Sequence, residues 1–319
     1  MFNQFFFEKL TKSEFFKPLV SLLAIVFVSA ILDPAHFLTA YDQQIIAQQT
    51  GLYTIMGVGE MLIVLMGSID LSTSGIYGLG MMVSGYVFAR VVHSLGISIL
   101  VAIIVGIIFG FANGVIVAKG KIFSFIATLA TSLIALGAML YLTNGQSIYP
   151  LPAFSVFALS IFQIPVTFII GVLVVLAIYI FLKYTAIGRY IYAIGGNEDA
   201  SYYSGINVNL VKITAFTIAG AMYSLAGIMT VGLLESATPI ASTYGNLLLY
   251  TIAVVVLGGI ELTGGVGSPI GPLIGSYILM MISNILVLLN VNVYLQYIVT
   301  GILVIIVTIS VIRGKRWVK

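Results

Sequence analysis

The chain has 319 residues, 61% of them hydrophobic and only 7% charged, with a formal net charge of +3. A soluble particle of this size, ordinarily about half apolar, could not be covered by so little polar surface, so the sequence is that of a multi-pass membrane protein. Cysteine is absent and the two histidines, His36 and His93, stand far apart, which leaves no disulfide framework, thiolate chemistry or zinc-ligand spacing. The basic residues lie between apolar runs, a pattern that gives no reason to expect nucleic acid as a partner.

Residues 1–17 are aromatic and carry Lys9, Lys12 and Lys17. The apolar run that follows ends in Asp33-Pro34 instead of a small-residue cleavage site, so it reads as a retained span behind an interfacial segment. Spans are expected near Pro18–Leu32, Gln43–Gly67, Gly75–Ala89, Ile97–Ala118 and Ile122–Thr143. Further spans are expected near Pro165–Lys183, Val211–Leu233, Tyr244–Gly259, Pro269–Leu289 and Val293–Ile312. Thirty-three glycines and long apolar runs, with no ten-residue alternation, favour helices over a β-barrel. The expected fold is an all-α membrane protein, one domain over residues 1–319, with about ten transmembrane helices, some glycine-rich and broken. With a cytoplasmic amino terminus, Lys119, Lys121, Lys183, Arg189, Lys212, Arg313, Lys315, Arg316 and Lys319 all face inward and only Arg90 faces outward. The bias of basic residues therefore puts both termini in the cytoplasm.

The longest polar interval away from the outer segment near Tyr149 is Gly188–Lys212, GRYIYAIGGNEDASYYSGINVNLVK. Gly195-Gly196 interrupt what precedes, and Asn197 is a good N-cap. Glu198 and Asp199 occupy a first turn, where carboxylates suit the helix dipole, and Gly205 can supply a left-handed ending. A short helix over 198–204 is predicted, and on composition alone it is equally an ordinary polar loop.

An internal echo is visible. Gly67-Ser68-Ile69-Asp70-Leu71-Ser72 matches Gly258-Gly259-Ile260-Glu261-Leu262-Thr263 type for type. Each copy ends an apolar run, turns through glycine and an acid, and restarts a glycine-rich helix, so Gly67, Asp70, Gly258, Gly259 and Glu261 are read as turn residues. Asp70 and Glu261 are expected at the cytoplasmic interface, capping the helices that follow, in preference to coupling an ion. Glu60 lies deeper, where an acid is expected to face the interior and accept hydrogen bonds. Asn113, Asn246 and Asn284, with Gln146 and Gln296, are neutral amides in or beside spans. They suit a path for a polyhydroxylated solute, or interhelical hydrogen bonds.

No serine, histidine and acid fall into a catalytic arrangement. The glycine-rich stretches near Gly106 and Gly264 lack the lysine of a phosphate-binding loop, so an ATP-driven process would need ATP bound by another polypeptide.

Three blocks resemble one family. They are Leu65–Met81 (LMGSIDLSTSGIYGLGM), Ala112–Thr131 (ANGVIVAKGKIFSFIATLAT), and Gly188–Val208 continuing through Ala226-Gly227 to AVVVLGGIELTGGVGSPIGPLIG from Ala253. Over roughly Met56–Ile312 the chain is similar to the transmembrane permease subunits of bacterial ABC importers of the ribose and simple-sugar type, which are related to branched-chain amino acid permeases. It departs at Ser68, where a second glycine is usual, and in the glycine-poor outer segment Asn144–Pro165. The resemblance implies that about ten helices build half of a translocation path in the bacterial plasma membrane. It makes the 198–204 helix a coupling helix that docks on an ATPase subunit through Gly195, Gly196, Asn197, Glu198, Asp199, Ala200, Ser204 and Gly205. It further implies a second permease, identical or similar, two cytoplasmic ATPases that hold the ATP, and an extracellular solute-binding protein; the chain itself binds no cofactor. Within the same family the solute is alternatively a nucleoside, a furanose signalling compound or a branched-chain amino acid. From another class, the rival reading is an ion-coupled secondary transporter.

Overall fold

The computed structural model describes residues 16–239 and 247–312. Among the described residues nearly all regular structure is helical. The helices are α1 (Phe16–Leu32), α2 (Ala40–Val64), α3 (Thr73–Val87, extended by a π-helical turn Phe88–Val92), α4 (Leu95–Ala118), α5 (Ser124–Thr143) and α6 (Val166–Tyr184). After them come α7 (Ala186–Gly196), α8 (Glu198–Tyr203), α9 (Val208–Leu234), α10 (Leu247–Leu257), α11 (Ile270–Leu288) and α12 (Val293–Ile312). Each expected apolar run falls on one of these helices, and α7 and α8 occupy the polar interval. Among the described residues, six helices are long and apolar enough to cross a membrane: α3 with its extension, α4, α5, α6, α9 and α11. Helices α1 and α10 are apolar but shorter.

Burial sorts the helices into an inner and an outer set. From Thr50 to Val64, every residue of α2 except Tyr53 is buried. Two thirds (67%) of the most apolar window of α9 is also covered, against 22% for α4. A helix that is apolar all round and still largely exposed presents its outer face to lipid, which places α4, α5 and α6 at the periphery and α2 and α9 at the centre.

The most extensive helix pairing is that of the inward face of α4 on α9. Gly106, Gly110 and Gly114 recur every four residues and so share one face. A methyl group at Gly106 would strike the Gly220 carbonyl, one at Gly110 the Phe216 carbonyl, and one at Gly114 would lie 2.6 Å from the Ile213 Cα. Helix association in lipid draws on such backbone-to-backbone approach because no hydrophobic drive separates protein from tails. At the opposite end from α8, a 3-10 turn Pro152–Phe157 covers the end of α9, and a two-strand hairpin (β1 Ser160–Ile161, β2 Ile164–Pro165) packs beside α2 and α6. Ile148 and Ala237 exchange backbone hydrogen bonds of 2.9 and 3.0 Å there, and Phe154 is fully buried.

Candidate functional site

Helix α8 has both ends built as its sequence dictates. Asn197 is extended (φ −165°) and its side-chain oxygen accepts from the Ala200 amide at 2.8 Å. At the other end Gly205 is left-handed (φ +84°). Its amide donates to the Tyr202 carbonyl, and the Ile206 amide donates to the Ser201 carbonyl, the paired bonds that close a Schellman ending. Lys212, in the second turn of α9, reaches both carboxylate oxygens of Glu198 at 2.6 and 2.8 Å. Two turns capped at both ends and tied to the next helix form a rigid projection, although a helix this short is marginal by itself.

Its outward surface is wide. Asn197, Glu198, Asp199, Ala200, Ser204 and Gly205 are all exposed, and Ser201 alone in α8 is buried. Tyr202 and Tyr203, which sequence reasoning passes over, stand 66% and 86% exposed, their rings edge-to-face at 5.6 Å. Paired exposed tyrosines beside small residues are the composition of a protein-binding hot spot; the doublet in a polar loop was the available signal.

Immediately before α8, the chain touches both glycine turns. Gly195 is packed so tightly that a Cβ would fall on the Leu65 carbonyl and the Gly265 amide. Leu65 and Gly265 are themselves joined, the Gly265 N–H donating to the Leu65 carbonyl at 2.8 Å. A Cβ on Gly264 would lie 2.8 Å from the Gly67 nitrogen and 3.1 Å from the Gly195 Cα. The Tyr192 hydroxyl adds a bond to the Gly267 carbonyl at 2.9 Å. Gly196, by contrast, has open space where its Cβ would be. The turns at the ends of α2 and α10 therefore lie at the same end of the bundle, in contact with each other and with the root of α8.

The first turn is anchored from several helices. Four successive amides each meet a different side chain: Ile69 to Ser124 Oγ (3.1 Å), Asp70 to Glu60 Oε1 (3.1 Å), Leu71 to Thr128 Oγ1 (2.8 Å) and Ser72 to Asp70 Oδ1 (2.7 Å). Asp70 is 1% exposed, so it sits inside the bundle and braces Ser72 from there instead of at a wet interface. Glu60 also accepts from the Tyr223 hydroxyl at 3.0 Å, the interior role expected of it. Asn113 donates to Ser72 Oγ at 2.8 Å and accepts from Thr131. Buried amides in lipid need such partners.

The model of the branched-chain amino acid transport system / permease component family matches residues 44–308. This chain belongs to that family. It is 38% identical over 296 residues to the ribose import permease protein RbsC of Escherichia coli (strain K12), covering 91% of each chain. Against the RbsC of Bacillus subtilis (strain 168) it is 36% identical over 297 residues, 91% of this chain and 90% of the relative. The D-allose transport system permease protein AlsC of Escherichia coli (strain K12) is 32% identical over 286 residues, 89% and 87% of the two chains. No solved structure matches.

Away from the α8 end, this permease-family chain holds a cavity of about 80 Å³ between α2, α3, α9 and the start of α10. Gln49, Tyr53, Tyr77 and Thr230 line it among Leu and Met side chains. The Tyr77 hydroxyl donates to Thr230 Oγ1 at 2.8 Å, and Thr230 donates in turn to the Ala226 carbonyl at 3.0 Å. Tyr53 packs against Tyr250 with ring centroids 6.0 Å apart. Of the three asparagines assigned to a solute path, Asn113 and Asn284 do not border this cavity: Asn113 is in the turn network, and Asn284 donates to Asp42 Oδ1 at 3.0 Å. Asn246 lies outside the described residues.

Proposed function

We propose that the chain is the membrane-spanning subunit of an ATP-driven, binding-protein-dependent importer of a monosaccharide, with ribose the foremost candidate. The observation that carries this is the similarity over nine tenths of the length to ribose import permeases. Relatives named for allose, fructose and autoinducer 2 extend the same chemistry, small polyhydroxylated solutes, to neighbouring branches. The ten apolar runs are ten spans with both termini in the cytoplasm, as the bias of basic residues requires. A second permease completes the path, an extracellular binding protein delivers the sugar, and cytoplasmic ATPase subunits hold the ATP.

Helix α8 is the coupling helix. Its exposed face, from Asn197 to Gly205 with Tyr202 and Tyr203, docks in a cleft of the ATPase. Movement imposed on it passes through Gly195 to the Leu65–Gly67 and Gly264–Gly265 backbones. Both turns are therefore displaced together, and with them the inner ends of α2, α3, α10 and α11. No covalent chemistry is required of this subunit; alternating access follows from moving packed helices against one another.

Reconstitution of the permease with its ATPase and binding protein tests the reading. Uptake of radiolabelled sugar should require ATP and persist when a protonophore collapses the proton gradient; uptake without the ATPase that stops with the protonophore would overturn it. Ala200→Arg should leave the permease inserted and folded while ATPase binding weakens roughly tenfold or more, about 1.4 kcal/mol. Full coupled transport by this variant would remove α8 from the mechanism.

A further inference from the structure

We infer that the cavity bordered by Gln49, Tyr53, Tyr77 and Thr230 is this subunit's sugar-contacting surface, in its contracted state. The inference rests on the importer reading above. Position comes first. Gln49 lies sixteen residues along α2 from Leu65, on the order of 24 Å at 1.5 Å per residue, so the cavity begins near the end opposite the coupling helix. It runs inward to Tyr77 on α3, a helix that grows directly out of the anchored first turn. A sugar arriving from outside would meet Gln49 first and Tyr77 last.

The lining then selects a chemistry. A monosaccharide carries hydroxyls round its edge and C–H groups on its faces, so it is matched by aromatic and aliphatic walls with a few fixed polar groups. Tyr53, Tyr77 and Met56 provide the walls, and Gln49 and Thr230 the polar groups. The hydrogen-bond inventory makes those groups directional. The single Tyr77 proton is committed to Thr230, and the single Thr230 proton to Ala226, so the Tyr77 oxygen offers only lone pairs. It can accept from a sugar hydroxyl and cannot donate to it, whereas the Gln49 amide can do both. Among the described residues no charged side chain borders the cavity. A zwitterionic amino acid entering it would leave an ammonium and a carboxylate without ionic partners, a cost of several kcal/mol for each. The same family thus contains an alternative cargo that this lining disfavours.

Size describes the state. About 80 Å³ has room for roughly two or three waters at about 30 Å³ each, and ligand sites begin at about 300 Å³. The surface is therefore too small to hold a sugar here. Separation of α2 from α3 and α9, and the facing surface of a second permease, would open it to a sugar.

Thr230→Val and Tyr77→Phe delete the two hydroxyls with almost no change of volume. In proteoliposomes holding permease, ATPase and binding protein, uptake of ribose, allose and fructose is measured beside ATP hydrolysis. Each variant should cut the maximal uptake rate at least fivefold and change the ratios among the three sugars. The KM, set by the binding protein, and stimulated ATP hydrolysis per complex should stay within twofold. A second measurement uses the cysteine-free background: Gln49→Cys should react with a membrane-impermeant maleimide, at least threefold more slowly when sugar-loaded binding protein is supplied. Unchanged sugar ratios and rates in both variants overturn the assignment, as does a labelling rate indifferent to sugar. Parallel loss of ATP hydrolysis and of all three uptakes also overturns it, in favour of a purely structural pair. Should the unmodified complex carry none of the three sugars, the importer reading itself falls and the inference with it.

Discussion

The two glycine turns share a sequence pattern and a backbone, and they are held by opposite means. Gly67 and Gly259 are both left-handed, with φ of +71° and +81°. Each ends its helix with the same pair of bonds: Gly67 and Ser68 amides to Val64 and Ile63, Gly259 and Ile260 amides to Val256 and Val255. Beyond that glycine they diverge. The first turn satisfies four amides in a row with side chains from α2, α5 and its own acid. The second uses backbone: Glu261 to Val266, Gly264 to Glu261, and Gly265 across to Leu65. One turn is bolted through side chains to α2 and α5, while the other closes largely on its own backbone and leans on the first turn and on Tyr192. On the coupling proposed above, a push arriving at Gly195 would meet one wall braced by side chains and one closed mainly by backbone bonds, which break and re-form without orphaning buried side chains.

The widest separation is expected at the contact both turns share. Gly195→Ala places a methyl on the Leu65 carbonyl and the Gly265 amide, and overpacking costs about 1–3 kcal/mol, toward the upper end where backbone meets backbone. Coupled uptake should fall at least tenfold with it, while Gly196→Ala, pointing into open space, should stay within twofold. Equal tolerance of the two would dissolve the junction as a mechanical element. Next come the acids. Asp70→Ala strips the acceptor from the Ser72 amide and hydroxyl inside the bundle, a loss of about 1–3 kcal/mol for each buried donor left unpaired. Glu261→Ala, at a half-exposed position, should cost under about 1 kcal/mol. Melting temperatures of the purified permease in detergent separate them, and reversed order would contradict the contrast between the turns. The smallest contrast between the turns is expected at their shared glycine: Gly67→Ala and Gly259→Ala each force a side chain into the left-handed region, at about 1–2 kcal/mol in both. A large inequality in melting temperature would mean that the backbone equivalence of the turns is only apparent.

The positions of the helices were legible because apolar runs of membrane length are unambiguous, and α8 was legible because Asn197 and Gly205 mark its two ends. The turns were legible as turns, but in a register displaced by one. Matching by residue type pairs Gly67 with Gly258; matching by backbone pairs it with Gly259. Asp70 is then the third residue after its left-handed glycine and Glu261 the second. Side chains one residue apart point in different directions, so the two acids cannot share an environment. Asp70 is buried, where an interfacial cap had been expected, and no local pattern announces this. The meeting of Leu65, Gly195 and Gly265 was illegible for another reason: it joins points about 70 and 130 residues apart through backbone atoms, which leave glycine as their only trace. Of the two roles the amides allowed, Asn113 and Asn284 make the interhelical hydrogen bonds, while two tyrosines, a threonine and a glutamine border the cavity.

The bond between Glu60 and Tyr223 spans 163 positions of chain. At about 5–20 residues per second, the carboxylate leaves the ribosome roughly ten to thirty seconds before its hydroxyl donor does. Throughout that interval α2 and the first turn lie in or beside the membrane with the acid of Glu60 lacking one of its partners. The buried carboxylate is therefore expected to gain its full set of partners only once α9 arrives. Nascent chains stalled before Tyr223 should therefore be better substrates for membrane proteases than chains stalled just after Leu234.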